Sequence, residues 1–179
     1  MLSKDDAVLV VIDVQGRLAT LMHDRETFYT NVVRMIKGAR AVGLPILWTE
    51  QLPDKLGETL PQIREHLDGV ELLVKKTFSC CGDGGFPERL KATGRRQILL
   101  VGMETHVCVY QTAMDLLRDG YDVYLVTDAV SSRIPSNREL GIQVIKEAGA
   151  RLTSVEMALF EMLVVAQGDQ FKQVIQIVK

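Results

Sequence analysis

A cysteine, an aspartate and a pair of lysines stand where short apolar runs of this sequence stop. Asp13 closes AVLVVID (7–13), Lys75 closes ELLVK (71–75) with Lys76 next to it, and Cys108 lies six residues beyond QILLVG (97–102). A thiol attacks carbon as its thiolate. Cys108 begins an amphipathic stretch, THVCVYQTAMDLLRDG. The spare N–H groups and the dipole of a first helical turn favour a thiolate there. Lys76 would add positive charge, and Asp13 could take the thiol proton and return it to a leaving group. Each also has a plainer role, because a free cysteine is often only a small buried hydrophobe. A lone lysine is usually a surface group, and a lone aspartate can simply make a turn.

Other chemistries lack their residues. A dinucleotide fold needs G-x-G-x-x-G after its first strand, but the turn here is DVQGRLA. No G-x-x-x-x-G-K-[ST] occurs, and the glycine-rich CGDGG follows the third apolar run without phosphate-loop spacing. His23, His66 and His106 are scattered, and no two of them stand at metal-ligand spacing. No metal and no cofactor are therefore expected. His106 sits beside the candidate cysteine and could line its site.

The elements that would position these groups are short and alternate in kind. Six apolar runs read as strands: 7–13, 45–50, 71–75, 97–102, 122–128 and 151–156. Several are apolar at successive positions, the mark of strands covered on both faces. Helical spacing fills the gaps, as with Phe28, Val32, Met35, Ile36 and Ala39 before Gly43. Strand–helix alternation of this kind implies right-handed crossovers and a parallel sheet between two helical layers. Ligands of such sheets bind beyond the carboxyl ends of the strands, where Asp13, Glu50, Gln51, Lys76, Cys108 and Asp128 would gather. The stretch 51–70 breaks the rhythm with two prolines and two glycines, and loops of that kind often cover a site.

The 179 residues suit one domain, 1–179. With 47% hydrophobic and 25% charged residues the composition is that of a globular protein. A net charge of −2 without a basic block argues against nucleic acid or an anionic membrane as partner. No run approaches the roughly 20 apolar residues of a membrane span. The start of the chain has no secretory pattern. Three cysteines without C-x-x-C suggest a reduced, cytoplasmic setting.

VIDVQ, KKTFS and GMETHVCVYQTAMDLLRDGYDV together resemble the isochorismatase-like cysteine hydrolases, in the same order and over nearly the whole chain. TEQLPDKLGETLPQI most resembles the isochorismatase-domain-containing branch. The resemblance implies a three-layer α-β-α fold with a six-stranded parallel sheet, and a catalytic triad of Asp13, Lys76 and Cys108. It also implies a cis peptide at Met103–Glu104 that aims the Glu104 and Cys108 N–H groups into an oxyanion hole. The activity implied is metal-independent cleavage of a C–N bond in a small molecule, through a Cys108 thioester. WTEQLPD lacks the Asp-x-His metal motif of nicotinamidases, and Cys108 itself argues against isochorismate as substrate.

Gln15, Gln51, Phe78 and His106 are expected to bind substrate, with Glu50 nearby. Phe78 could equally be core, and Gln15 could only hold backbone. Cys80 and Cys81 read as small loop residues, and Arg133 as an ion-pair partner of Asp128. Family members are commonly homo-oligomers, and MALFEMLVVA or FKQVIQIV could supply an interface or pack on their own sheet. A non-catalytic scaffold and a thiol redox sensor are the competing readings.

Overall fold

The computed structural model describes residues 1–82 and 85–179. Asp83 and Gly84, part of the CGDGG stretch, lie outside the described residues. The chain runs β1 (Ala7–Ile12), α1 (Gly16–Ala19), α2 (Arg25–Val42), β2 (Ile46–Gln51), α3 (Pro53–Leu56), α4 (Pro61–Arg64) and β3 (Leu72–Lys75). After a 3-10 turn at Cys80–Gly82 come α5 (Phe86–Ala92), β4 (Gln97–Met103), a π-type turn at Thr105–Val109 and α6 (Tyr110–Arg118). The chain ends with β5 (Asp122–Ser131), α7 (Pro135–Glu147), β6 (Arg151–Thr153), α8 (Val155–Leu163) and α9 (Gly168–Val178).

The six strands form one sheet in the order β3-β2-β1-β4-β5-β6, and every pairing is parallel. Side-chain alternation divides the core into two layers. Leu9, Val11, Leu99 and Val101 face α2, α8 and α9, where Val32, Met35, Ile36, Leu159 and Val174 meet them. Val8, Val10, Ile12, Ile98 and Leu100 face α5, α6 and α7, against Phe86, Leu90, Val109, Leu116 and Ile145. The three-layer α-β-α architecture follows.

Two tail segments expected to be either interface or core divide by face. Ala158, Leu159, Met162 and Val174 are buried, while Met157, Val164 and Val165 remain exposed. No helix of the described residues is long and apolar enough to cross a membrane.

β5 extends beyond Asp128, where the apolar run suggested its end. Leu100 pairs with Leu125, but Gly102 pairs with Val130, so β5 carries extra residues in a bulge. The bulge frees Asp128 to accept the Val155 N–H at 2.9 Å, where α8 begins. Arg133 pairs instead with Glu104, Nε to Oε1 at 2.9 Å.

The strand order changes direction between β1 and β4. Chain leaving these two neighbours goes to opposite sides of the sheet, which opens a crevice at their carboxyl ends. Asp13 follows β1, and the turn carrying Cys108 follows β4.

Candidate active site

Ile12 faces the α5–α6 layer, so a continued strand would point Asp13 to the other face. The backbone prevents this. Asp13 has φ 52°, in the left-handed region that short polar residues tolerate best after glycine. Its carboxylate returns to the face of Ile12. There the Thr49 hydroxyl donates to Asp13 Oδ1 at 2.7 Å. Thr49 is the register partner of Ile12 on β2.

The cation beside Asp13 is Lys75, not Lys76. Lys75 Nζ stands 2.6 Å from Asp13 Oδ2, and Lys75 is 1% exposed. Its ammonium also donates to the carbonyls of Thr77 and Phe78, each at 3.0 Å. Two of the ammonium's three donors thus go to carbonyls, and Asp13 is held as an ion pair. The correction has a simple cause. Neighbouring residues of an extended chain point to opposite faces. Leu73 is buried, Val74 is exposed, Lys75 is buried and Lys76 is exposed. Crossing β2 to reach Asp13 means covering about 10 Å, two strand spacings, which the long lysine side chain and the carboxylate manage together.

Cys108 lies inside the π-type turn, and it lines the same cavity wall as Asp13. The thiol donates to Gln51 Oε1 in a weak contact at 3.9 Å. Burial, then the Asp13 charge, pushes the thiol far above its ordinary value, while Lys75 acts in the opposite direction. Desolvation thus opposes the expected thiolate-favouring helix start, and the buried setting favours the neutral thiol. Cys80 is pushed up to about 12 and Cys81 to about 11, in both cases mainly by burial.

The turn that carries Cys108 is made without a cis bond. Among the described residues no peptide bond is cis, and Glu104 turns the chain in the left-handed region at φ 56°. The turn is tied to the end of β5. Thr105 Oγ1 donates to the Ser131 carbonyl at 3.0 Å, and Arg133 holds the buried Glu104 carboxylate. On its other side α7 approaches closely, because a Cβ on Gly141 would lie 2.9 Å from the His106 nitrogen.

A cavity of about 20 Å³ lies over the thiol. Asp13, Gln15, Leu18, Gln51, Leu56, Met103, Glu104 and Cys108 line it. That space suits about one water molecule. The expected binding residues divide. Gln15 and Gln51 reach the cavity, while His106 and Phe78 do not. His106 Nδ1 meets Ser132 Oγ at 3.1 Å, and Phe78 is 52% exposed. Glu50 is buried and accepts the Thr59 N–H at 2.6 Å.

Gln15 ties the cavity wall together with both ends of its amide. Its Oε1 accepts the Gln51 N–H at 2.7 Å, and its Nε2 donates to the carbonyls of Gln51 and Gly57 at 2.9 and 2.7 Å. Sequence patterning alone missed Lys75, Thr49 and the apolar cover of Leu18 and Leu56. Strand alternation was the available signal for Lys75. Thr49 had none, because a threonine in a strand is ordinary.

The Isochorismatase domain model matches residues 7–157. The secreted isochorismatase effector Isc1 of Phytophthora sojae is 36% identical over 179 residues, 97% of this chain and 84% of that protein. The structure of the MAR1 ribonuclease from Caenorhabditis elegans is similar with a TM-score of 0.92 and 32% identity, over 99% of this chain and 91% of that one. YcaC from Pseudomonas aeruginosa, solved with hexane-2,5-diol and covalent acrylamide, is similar with a TM-score of 0.92 and 27% identity, over 98% and 90%. A shared domain model over most of the chain and this degree of identity place it in one group: the chain belongs to the isochorismatase family, within a superfamily of hydrolases.

Proposed function

We propose that the chain is a cysteine hydrolase that cleaves the C–N bond of a small, uncharged amide-type molecule. The observation that carries this reading is that Cys108 and the carboxylate of Asp13, itself ion-paired with buried Lys75, line one cavity. Because burial favours the neutral thiol, Asp13 removes its proton as sulfur attacks, so no thiolate need be stored. A C–S bond forms, and the carbonyl oxygen takes the charge, for which the N–H groups of Glu104 and Cys108 are the proposed donors. The tetrahedral intermediate collapses, the C–N bond breaks, and Asp13 gives its proton to the departing amine. Water then loses a proton to Asp13 and attacks the thioester. The C–S bond breaks, a carboxylic acid leaves, and the thiol is restored. Lys75 keeps a fixed positive charge beside Asp13 throughout.

The lining of the cavity, once its cover opens, suits a small, neutral substrate. Leu18, Leu56 and Met103 give it apolar walls, and its ionisable wall residues besides the cysteine are the carboxylic Asp13 and Glu104. Both carboxylates are already paired, Asp13 with Lys75 and Glu104 with Arg133, so the described wall residues offer no spare cation to a charged substrate. The Pseudomonas relative was solved with covalent acrylamide, a small neutral molecule.

The test is a panel of amides and ureides followed by ammonia or amine release, with and without a chelator. Turnover is expected for small neutral members, unchanged by the chelator and lost in Cys108→Ala. A labelled RNA belongs in the same panel, given the name of the nematode relative. Turnover that persists in Cys108→Ala would sink the mechanism.

A further inference from the structure

Behind Asp13 stand two buried groups that the proposed chemistry does not use. Thr49 is 2% exposed, and Cys80 has no exposed surface. The Thr49 hydroxyl is 2.7 Å from Asp13 Oδ1 and 3.8 Å from Cys80 Sγ. A hydroxyl has one proton and two lone pairs, and an ionised carboxylate can only accept. The Thr49 proton therefore goes to Asp13, which leaves its oxygen as an acceptor toward the sulfur. Cys80 must then be the donor, and a donor must be a neutral thiol. Its burial favours that form. The backbone of Cys80 is fixed separately, because its N–H donates to Thr112 Oγ1 at 3.0 Å.

We propose that Cys80 and Thr49 form a hydrogen-bond tether that orients the Asp13 carboxylate toward the Cys108 thiol. Both are positioning residues, and the tether rests on the nucleophile reading above. Its logic is mechanical. Lys75 holds Oδ2 and Thr49 holds Oδ1, so the carboxylate cannot turn about its own bond. Without Thr49 the Lys75 contact alone remains, and the carboxylate turns out of line with the thiol. Cys80 acts one step further back by fixing the direction of the Thr49 hydroxyl.

Alkylation of Cys108 by iodoacetamide tests this without a substrate. The label is located by peptide mass mapping, at reagent concentrations where the rate rises linearly, so that the chemistry at sulfur is visible. Thr49→Val keeps shape and removes the hydroxyl, and alkylation is expected to slow roughly 10- to 100-fold at pH 7. Thr49→Ser restores the hydroxyl and should return the rate to within about threefold of the original. Cys80→Ala is expected to slow it about 3- to 10-fold, and Cys80→Ser, which keeps a donor, should recover most of that loss.

An unchanged rate in Thr49→Val overturns the tether, as does a rate in Thr49→Ser as low as in Thr49→Val, since packing alone would explain it. If Thr49→Val does not fold, the Cys80 pair decides, and an unchanged Cys80→Ala overturns the proposal. A native Cys108 that is inert to the reagent removes the nucleophile reading, and the tether with it. A reactive native Cys108 with insensitive variants removes the tether alone.

Discussion

Lys75 and Lys76 are chemically identical neighbours, and the geometry of an extended chain gives them opposite environments. Lys75 and Asp13 form a buried ion pair at 2.6 Å. Removing one member of such a pair strands the other charge, at a cost of about 3–5 kcal/mol. Lys75→Met is therefore expected to lower unfolding free energy by about that amount and to abolish turnover. Lys76→Met changes an exposed side chain and should stay within about 0.5 kcal/mol, with activity retained. The double variant Asp13→Asn with Lys75→Met removes both charges and should recover a large part of the lost stability, which denaturant unfolding of the four proteins measures as a coupling energy. Full loss of turnover in Lys76→Met together with a silent Lys75→Met would reverse the assignment. Asp13 and Cys108 were legible in the sequence because each ends or follows an apolar run. The lysine was not, because the resemblance located the motif while only the alternation Leu73, Val74, Lys75 showed which member of the pair points inward.

At the scale of elements, the cover over Cys108 consists of α1 and α3 meeting above the carboxyl ends of β1 and β2. Their approach depends on Gly16, where a Cβ would lie 1.7 Å from the Leu56 carbonyl oxygen. Leu56 then places its side chain on the cavity wall beside Leu18. A space of about 20 Å³ admits no amide substrate, so the cover must open before Cys108 can react. Leu56 is partly exposed, and its closing contact is worth about 1 kcal/mol on area grounds. Leu56→Ala should therefore raise the alkylation rate of Cys108 about fivefold while the far-ultraviolet circular dichroism stays unchanged. A rate equal to that of the original protein would show that the gate lies elsewhere. The covering role of 51–70 was legible from its prolines and glycines. The pairing of that stretch with the turn after β1 was not. It rests on the Gln15 amide and on backbone contact between residues far apart in sequence, and periodicity carries no information about either.

At the scale of the whole molecule, the strand order and the layering follow from the alternation of short apolar strands with amphipathic helices. The same layering has a thermodynamic consequence. The α5–α6 layer buries Cys80 and Cys108 against the sheet, and burial pushes both thiols up, Cys80 to about 12. An unfolded thiol titrates near 8.5. Between roughly pH 9 and 12 the unfolded chain therefore binds fewer protons than the folded one. Stability depends on pH with the sign of that difference, so it falls as pH rises through this window and is fully present below it. Each such thiol contributes a slope of about 1.4 kcal/mol per pH unit. Urea unfolding at pH 7.5, 9.5 and 10.5 under reducing conditions should show the decline. Cys80→Ala deletes one titrating group, and its slope should be shallower by about 1.4 kcal/mol per unit whatever its stability at neutral pH. Comparing slopes, and not absolute values, isolates Cys80 from the other groups that titrate in the same range. Identical slopes would mean that the fold does not hold the Cys80 proton, and the donor on which Thr49 and Asp13 depend would be lost from the site.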